Sequence, residues 1–111
     1  MAIIRTIPAQ KIINGQVINT SEVSLISELE YSTNGEDCIV TMGVSESTII
    51  LNSKTTDHIV VKSMIRTTIK PDVNRIDEDY DEILLDRYAC VEFRFCGGSW
   101  YILSSDGLKQ S

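Results

Sequence analysis

The single histidine, His58, opens an apolar run, His58-Ile59-Val60-Val61, and has no second imidazole to work with. A zinc site needs three or four nitrogen or thiolate ligands gathered in one place, and a nucleophile relay needs a serine or cysteine beside the base. No spacing in the chain supplies either. Cys38, Cys90 and Cys96 are odd in number and lack a C-x-x-C pair, so they read as free thiols of a reducing compartment. The acidic run Asp77-Glu78-Asp79-Tyr80-Asp81-Glu82 offers the carboxylates a hard cation prefers. A helix-loop-helix calcium loop, however, needs glycine at its sixth position and a carboxylate at its twelfth, where Glu82 and Tyr88 stand. The simpler reading is a solvated turn between strands at Ile76 and Ile83. Ser104-Ser105-Asp106-Gly107 sets hydroxyls beside a carboxylate, as strand-ending turns commonly do. Cys96-Gly97-Gly98-Ser99 has neither the glycine spacing of a phosphate loop nor a helix after it. Phe93, Phe95, Trp100 and Tyr101 gather on one hairpin, either as a platform for stacking on sugars or as cross-strand pairs that hold a sheet and its partner together. The expectation is a non-enzymatic chain without catalytic residues, cofactor or metal ion.

The elements that would position these residues are strands. The length of 111 residues allows one core, and 42% hydrophobic with 23% charged residues is the composition of an ordinary globular domain. Short β-branched runs alternate with turn residues, giving strands at Val17-Ile18, Cys38 to Met42, Thr48 to Leu51, His58 to Val61, Thr67 to Lys70, Glu82 to Leu85, Ala89 to Phe95 and Trp100 to Leu103. Ser21 to Leu29 fits a helix through Val23, Ile26 and Leu29, and a strand through Val23, Leu25, Ser27 and Leu29. Asn14-Gly15 and Asn34-Gly35 predict two early hairpins, and the Gly97-Gly98 turn a third. Residues 1–14 read as an extended N-terminal arm and 15–111 as a single all-β domain. That domain is a compact body of many short strands, a β-sandwich or a three-sided β-coil. A net charge of -6 with scattered lysines and arginines disfavours nucleic acid, and the apolar runs are too short to cross a bilayer. The first residues lack the pattern of a signal peptide, which places the expected synthesis in cytoplasm.

From Ser47 onward the chain resembles a β-rich module of bacteriophage virion proteins: tail fibres, tail spikes and capsid decorations, most of them homotrimers. The matching phrases are Thr48-Ile49-Ile50-Leu51, His58-Ile59-Val60-Val61-Lys62, Thr68-Ile69-Lys70-Pro71, Asn74-Arg75-Ile76-Asp77 and Ala89-Cys90-Val91-Glu92-Phe93-Arg94-Phe95. The most diagnostic is Gly98-Ser99-Trp100-Tyr101-Ile102-Leu103-Ser104. The resemblance covers roughly the C-terminal half. Such modules are usually segments of long fibres, whereas this short chain is more similar to small capsid cement proteins.

The resemblance implies a virion structural protein, assembled in the host cytoplasm, whose partners are itself, as a homotrimer, and the major capsid protein or another virion protein. No nucleic-acid or membrane partner is expected. Ile3, Ile4, Ile7, Ile12 and Ile13 would form a capsid-docking arm. Ile59, Val61, Ile69, Ile83, Leu85, Val91, Phe93, Phe95, Trp100 and Ile102 would form the trimer interface or core, since both faces of the later strands are apolar. The alternative is a tail-fibre receptor or glycan-binding module that stacks sugars on Trp100, Tyr101 or Tyr88. A small hydrolase would require His58 and the acidic run to share one cleft.

Overall fold

A computed structural model describes the backbone of residues 4–13 and 16–106, with side chains described from residue 23 to 106. Ten strands follow in order: β1 (Ile4–Ile13), β2 (Gln16–Ile26), β3 (Glu30–Ser32), β4 (Cys38–Thr41), β5 (Glu46–Leu51), β6 (His58–Ser63), β7 (Arg66–Pro71), β8 (Ile83–Leu85), β9 (Cys90–Cys96) and β10 (Ser99–Asp106). One sheet has six strands in the order β1-β2-β4-β6-β9-β10, and the other has four in the order β3-β5-β7-β8. From β2 to β7 the chain alternates between the sheets, and each strand pairs parallel with the strand one turn earlier, as in Ile39 against Val61 and Ile49 against Ile69. The result is a two-sided parallel coil rather than a three-sided one. It is closed by antiparallel strands, β8 on β7 and the β9–β10 hairpin on β6.

This architecture explains the sequence pattern. Each strand offers alternate residues to the space between the sheets, so β6 alternates Ile59, Val61 and Ser63 inward with His58, Val60 and Lys62 outward. The core runs through Ile26, Ile39, Ile49, Leu51, Ile59, Val61, Ile69, Ile76, Ile83, Leu85, Val91, Phe93 and Trp100. The buried hydroxyls of Thr41 and Thr67 meet at 2.6 Å, and Thr67 Oγ1 donates to the Ile65 carbonyl at 3.0 Å. A buried hydroxyl without a partner costs about 1–3 kcal/mol, and this relay satisfies both.

The undecided Ser21 to Leu29 segment is strand up to Ile26, where parallel pairing with β4 begins at Val23 and Cys38. The expected hairpin at Asn34-Gly35 does not form. Gly35 has the positive φ of a tight turn (86°), but the turn carries the chain from one sheet to the other, because β3 pairs with β5 and β4 with β2. A turn signal fixes local geometry and says nothing of which strands then pair. The corner is held instead by Asn52 N–H donating to Thr33 Oγ1 (2.8 Å), Thr55 Oγ1 to the Thr33 carbonyl (2.8 Å) and Gly35 N–H to Thr56 Oγ1 (2.9 Å). The Gly97-Gly98 hairpin forms as expected, with both residues at positive φ (59° and 86°) between the paired Cys96 and Ser99. Asn14-Gly15 lie outside the described residues.

Candidate interaction surface

The residues expected at an interface or core divide cleanly. Ile59, Val61, Ile69, Ile83, Leu85, Val91, Phe93 and Trp100 are buried within the monomer, while Phe95 and Ile102 pack against its core and are partly exposed. None of the buried eight is free to meet a partner. Trp100 has no exposed surface and tilts against Phe95 with ring centroids 5.2 Å apart, so it cannot stack on a sugar. Its indole N–H donates to Asp72 Oδ1 at 3.0 Å, and Asp72 Oδ2 accepts from Ser53 N–H and Oγ at 2.9 and 2.8 Å. Burial pushes the Asp72 carboxyl up, but these hydrogen bonds outweigh it and hold the group below the usual carboxylate range. Tyr88 and Tyr101 retain exposed surface. Ile3 lies outside the described residues, as do the side chains of Ile4, Ile7, Ile12 and Ile13.

The acidic run has a structural task. Asp77 N–H donates to the Trp100 carbonyl at 2.9 Å, and Asp77 Oδ1 accepts from Ile102 N–H at 2.9 Å, so the run covers the open edge of β10. A bulge between Ile102 and Ser104 interrupts that edge further. Glu78, Asp79, Asp81 and Glu82 face solvent, and Arg75 pairs with Asp81 at 3.1 Å across a shallow depression that Asn74, Glu78 and Ser99 also line. Among the described residues no group of three or more histidines, cysteines and carboxylates is placed to hold a metal ion.

His58 is far from serving the acidic run: it bonds to Glu92 at 2.5 Å, and Ser104 Oγ donates to the other Glu92 oxygen at 2.9 Å. The carboxylate stands between the serine and the histidine. A nucleophile relay would need the imidazole in that middle position. Hydrogen bonds from His58 and Ser104 hold the Glu92 carboxyl below its ordinary range. All three cysteines are free, and burial followed by the nearby Cys90 and Asp37 pushes the Cys38 thiol up, away from the reactive thiolate.

What distinguishes the surface is the contrast between the two outer faces. On the four-stranded sheet the outward residues before its last strand are polar or charged except Ile50: Glu30, Thr48 and Thr68 in one row, Ser32, Ile50 and Lys70 in the next, Glu46 and Arg66 in a third. On the six-stranded sheet the outward rows are Val23, Cys38, Val60 and Glu92, then Leu25, Val40, Lys62 and Cys90, each half-buried. The rows continue past the strand ends. Met64 N–H donates to the Thr41 carbonyl and Tyr88 N–H to the Ser63 carbonyl, which sets Met42, Met64 and Tyr88 side by side, all exposed. Sequence reasoning detected apolar character on both faces of β6 but not this continuous patch, which depends on parallel neighbours about 20 residues apart. No protein-family model and no curated protein matches the chain.

Proposed function

We propose that this chain is a non-enzymatic structural protein of a bacteriophage virion, a homotrimer that decorates the capsid and cements joints between its subunits. The observation that carries the reading is the unequal pair of outer faces: one mainly polar before its last strand, the other a half-buried surface on which Val23, Leu25, Cys38, Val40, Val60 and Cys90 outnumber Glu92 and Lys62, of the kind that marks association. The rest of the molecule agrees with it. The groups with chemical potential, Asp72, Asp77, His58 and Glu92, are spent on holding strands and turns, and the diagnostic Gly98 to Ser104 phrase forms the closing hairpin. The glycan-binding alternative loses its best aromatic platform with the burial of Trp100.

The test is co-sedimentation of the purified protein with empty phage heads, with isolated tails as the comparison, after its mass has been measured by light scattering. A trimer that sediments with heads and not with tails is the expected result. Binding to tails alone, or to host surface glycan alone, overturns the capsid reading.

A further inference from the structure

We propose that the apolar outer face of the six-stranded sheet is the seat of a second copy of this chain, which lays its β1–β2 ribbon across the face. The inference deepens the homotrimer reading, on which it rests, by naming the surfaces that meet. Among the described residues β2 is flanked by β1 and β4 over Val23–Ile26 but is paired with β1 alone over Gln16–Glu22. A two-stranded ribbon is marginal in water by itself and gains stability when something covers it. Its sequence supplies Ile7, Ile12, Ile13, Val17 and Ile18 for that purpose.

The dimensions and charges of the two surfaces agree. Seven residues of extended chain reach about 24 Å, and the face from β2 to β10 spans four strand spacings, about 19 Å, so one ribbon crosses it. Residues 1–22 hold Arg5 and Lys11 against the single carboxylate Glu22, an excess of one positive charge in a chain of net charge -6. The remaining residues are therefore strongly acidic and repel their own kind except where a basic element approaches. Glu92 and Asp106 stand along the β9–β10 side of the face, where they attract such an element, while Lys62 and Arg94 keep the face itself close to neutral. A ribbon on one side of the molecule and a face on another make a head-to-tail contact, which closes as a ring when the rotation permits.

Two measurements on the full-length chain test this. Val60→Asp puts a charge in the middle of the face, and light scattering should show the trimer reduced to monomer while circular dichroism retains the strand signal. Cysteines placed singly at Thr6, Gln10 and Thr20 in a Cys38→Ser, Cys96→Ser background should then be joined to Cys90 of a neighbouring copy by a short thiol cross-linker. That product should disappear with Cys90→Ser. A folded Val60→Asp that remains trimeric overturns the proposal, as does a monomeric wild-type chain or the absence of any Cys90-dependent link. If Val60→Asp fails to fold, the cross-links decide alone. Should head binding fail while both results stand, the capsid reading falls and this contact survives.

Discussion

Replacing Asp72 by alanine tests the claim that this exposed carboxylate is there to serve the buried tryptophan. The substitution removes the acceptor of the Trp100 indole N–H (3.0 Å) and of two bonds from Ser53 (2.9 and 2.8 Å). Hydrogen bonds to a charged group contribute about 1.5–3 kcal/mol, and an orphaned buried donor costs about 1–3 kcal/mol. Because Asp72 sits at the surface, water takes over the Ser53 bonds at little cost, leaving a net loss of about 1–2 kcal/mol dominated by the indole. For a chain of this size that lowers Tm by about 4–8 °C. Trp100 is the only tryptophan, so its fluorescence during urea unfolding reports the site directly. Asp72→Asn keeps an oxygen for the indole and should lose about half as much. The pH dependence has a definite sign. The folded carboxyl titrates below its unfolded value, so its contribution is present above the unfolded pKa and is lost as pH falls through the folded one. The Asp72→Asn variant should therefore approach wild-type stability in acid. An Asp72→Ala variant within about 0.5 kcal/mol of wild type, the scale of ordinary surface changes, would refute the reasoning.

Three further outcomes follow from single contacts. Thr67→Val should cost about 1–3 kcal/mol in denaturant unfolding because it strands the buried Thr41 hydroxyl, while Thr41→Val costs less, since Thr67 still donates to Ile65. Gly43→Ala should destabilise more than Gly98→Ala in the same assay. Both glycines have positive φ (80° and 86°), but a Cβ at Gly43 meets Ser27 Cβ at 3.0 Å and one at Gly98 meets nothing within 4 Å, leaving only the backbone cost of about 1–2 kcal/mol. Glu92→Gln should flatten the acid limb of the stability profile: the depressed carboxyl contributes above its unfolded pKa and loses that contribution as pH falls through the folded value. An unchanged acid limb in thermal melts across pH 3 to 6 would show the His58–Glu92–Ser104 contact to be without consequence.

The strands of the body were legible because each alternates inward and outward residues over a short run. Thr48 to Leu51, His58 to Val61, Thr67 to Lys70 and Trp100 to Leu103 all lie within observed strands. Two elements escaped: β3 has three residues, too few for any period to show, and β1 (Ile4–Ile13) lies within the stretch whose sequence reads as an extended arm. The pairing was another matter. In an antiparallel hairpin the turn and its two strands are contiguous, so Gly97-Gly98 announced β9 against β10. In a parallel coil the neighbour of a strand lies a full turn away, with a strand of the other sheet between them. Asn34-Gly35 accordingly looked like a hairpin and proved to be a corner.

The same delay along the chain hid the surface. Val23, Cys38 and Val60 become one row only after the coil has stacked them, and nothing local to any of the three marks the row. The aromatic cluster misled for a related reason. Trp100 was conspicuous as a candidate for ligand stacking, but its fate is set by Asp72, 28 positions earlier, which crosses the corner after β7 to accept a hydrogen bond from its indole N–H. Once that acceptor is in place the ring can be buried without an unsatisfied donor. Among the apolar groups left at the surface, the ones that stack into contiguous rows are the aliphatic and thiol side chains of one sheet face. A face on which six of the eight central residues are aliphatic or thiol, with only Lys62 and Glu92 charged, offers area and shape more than hydrogen bonds, the terms on which the proposed second copy would be recognised.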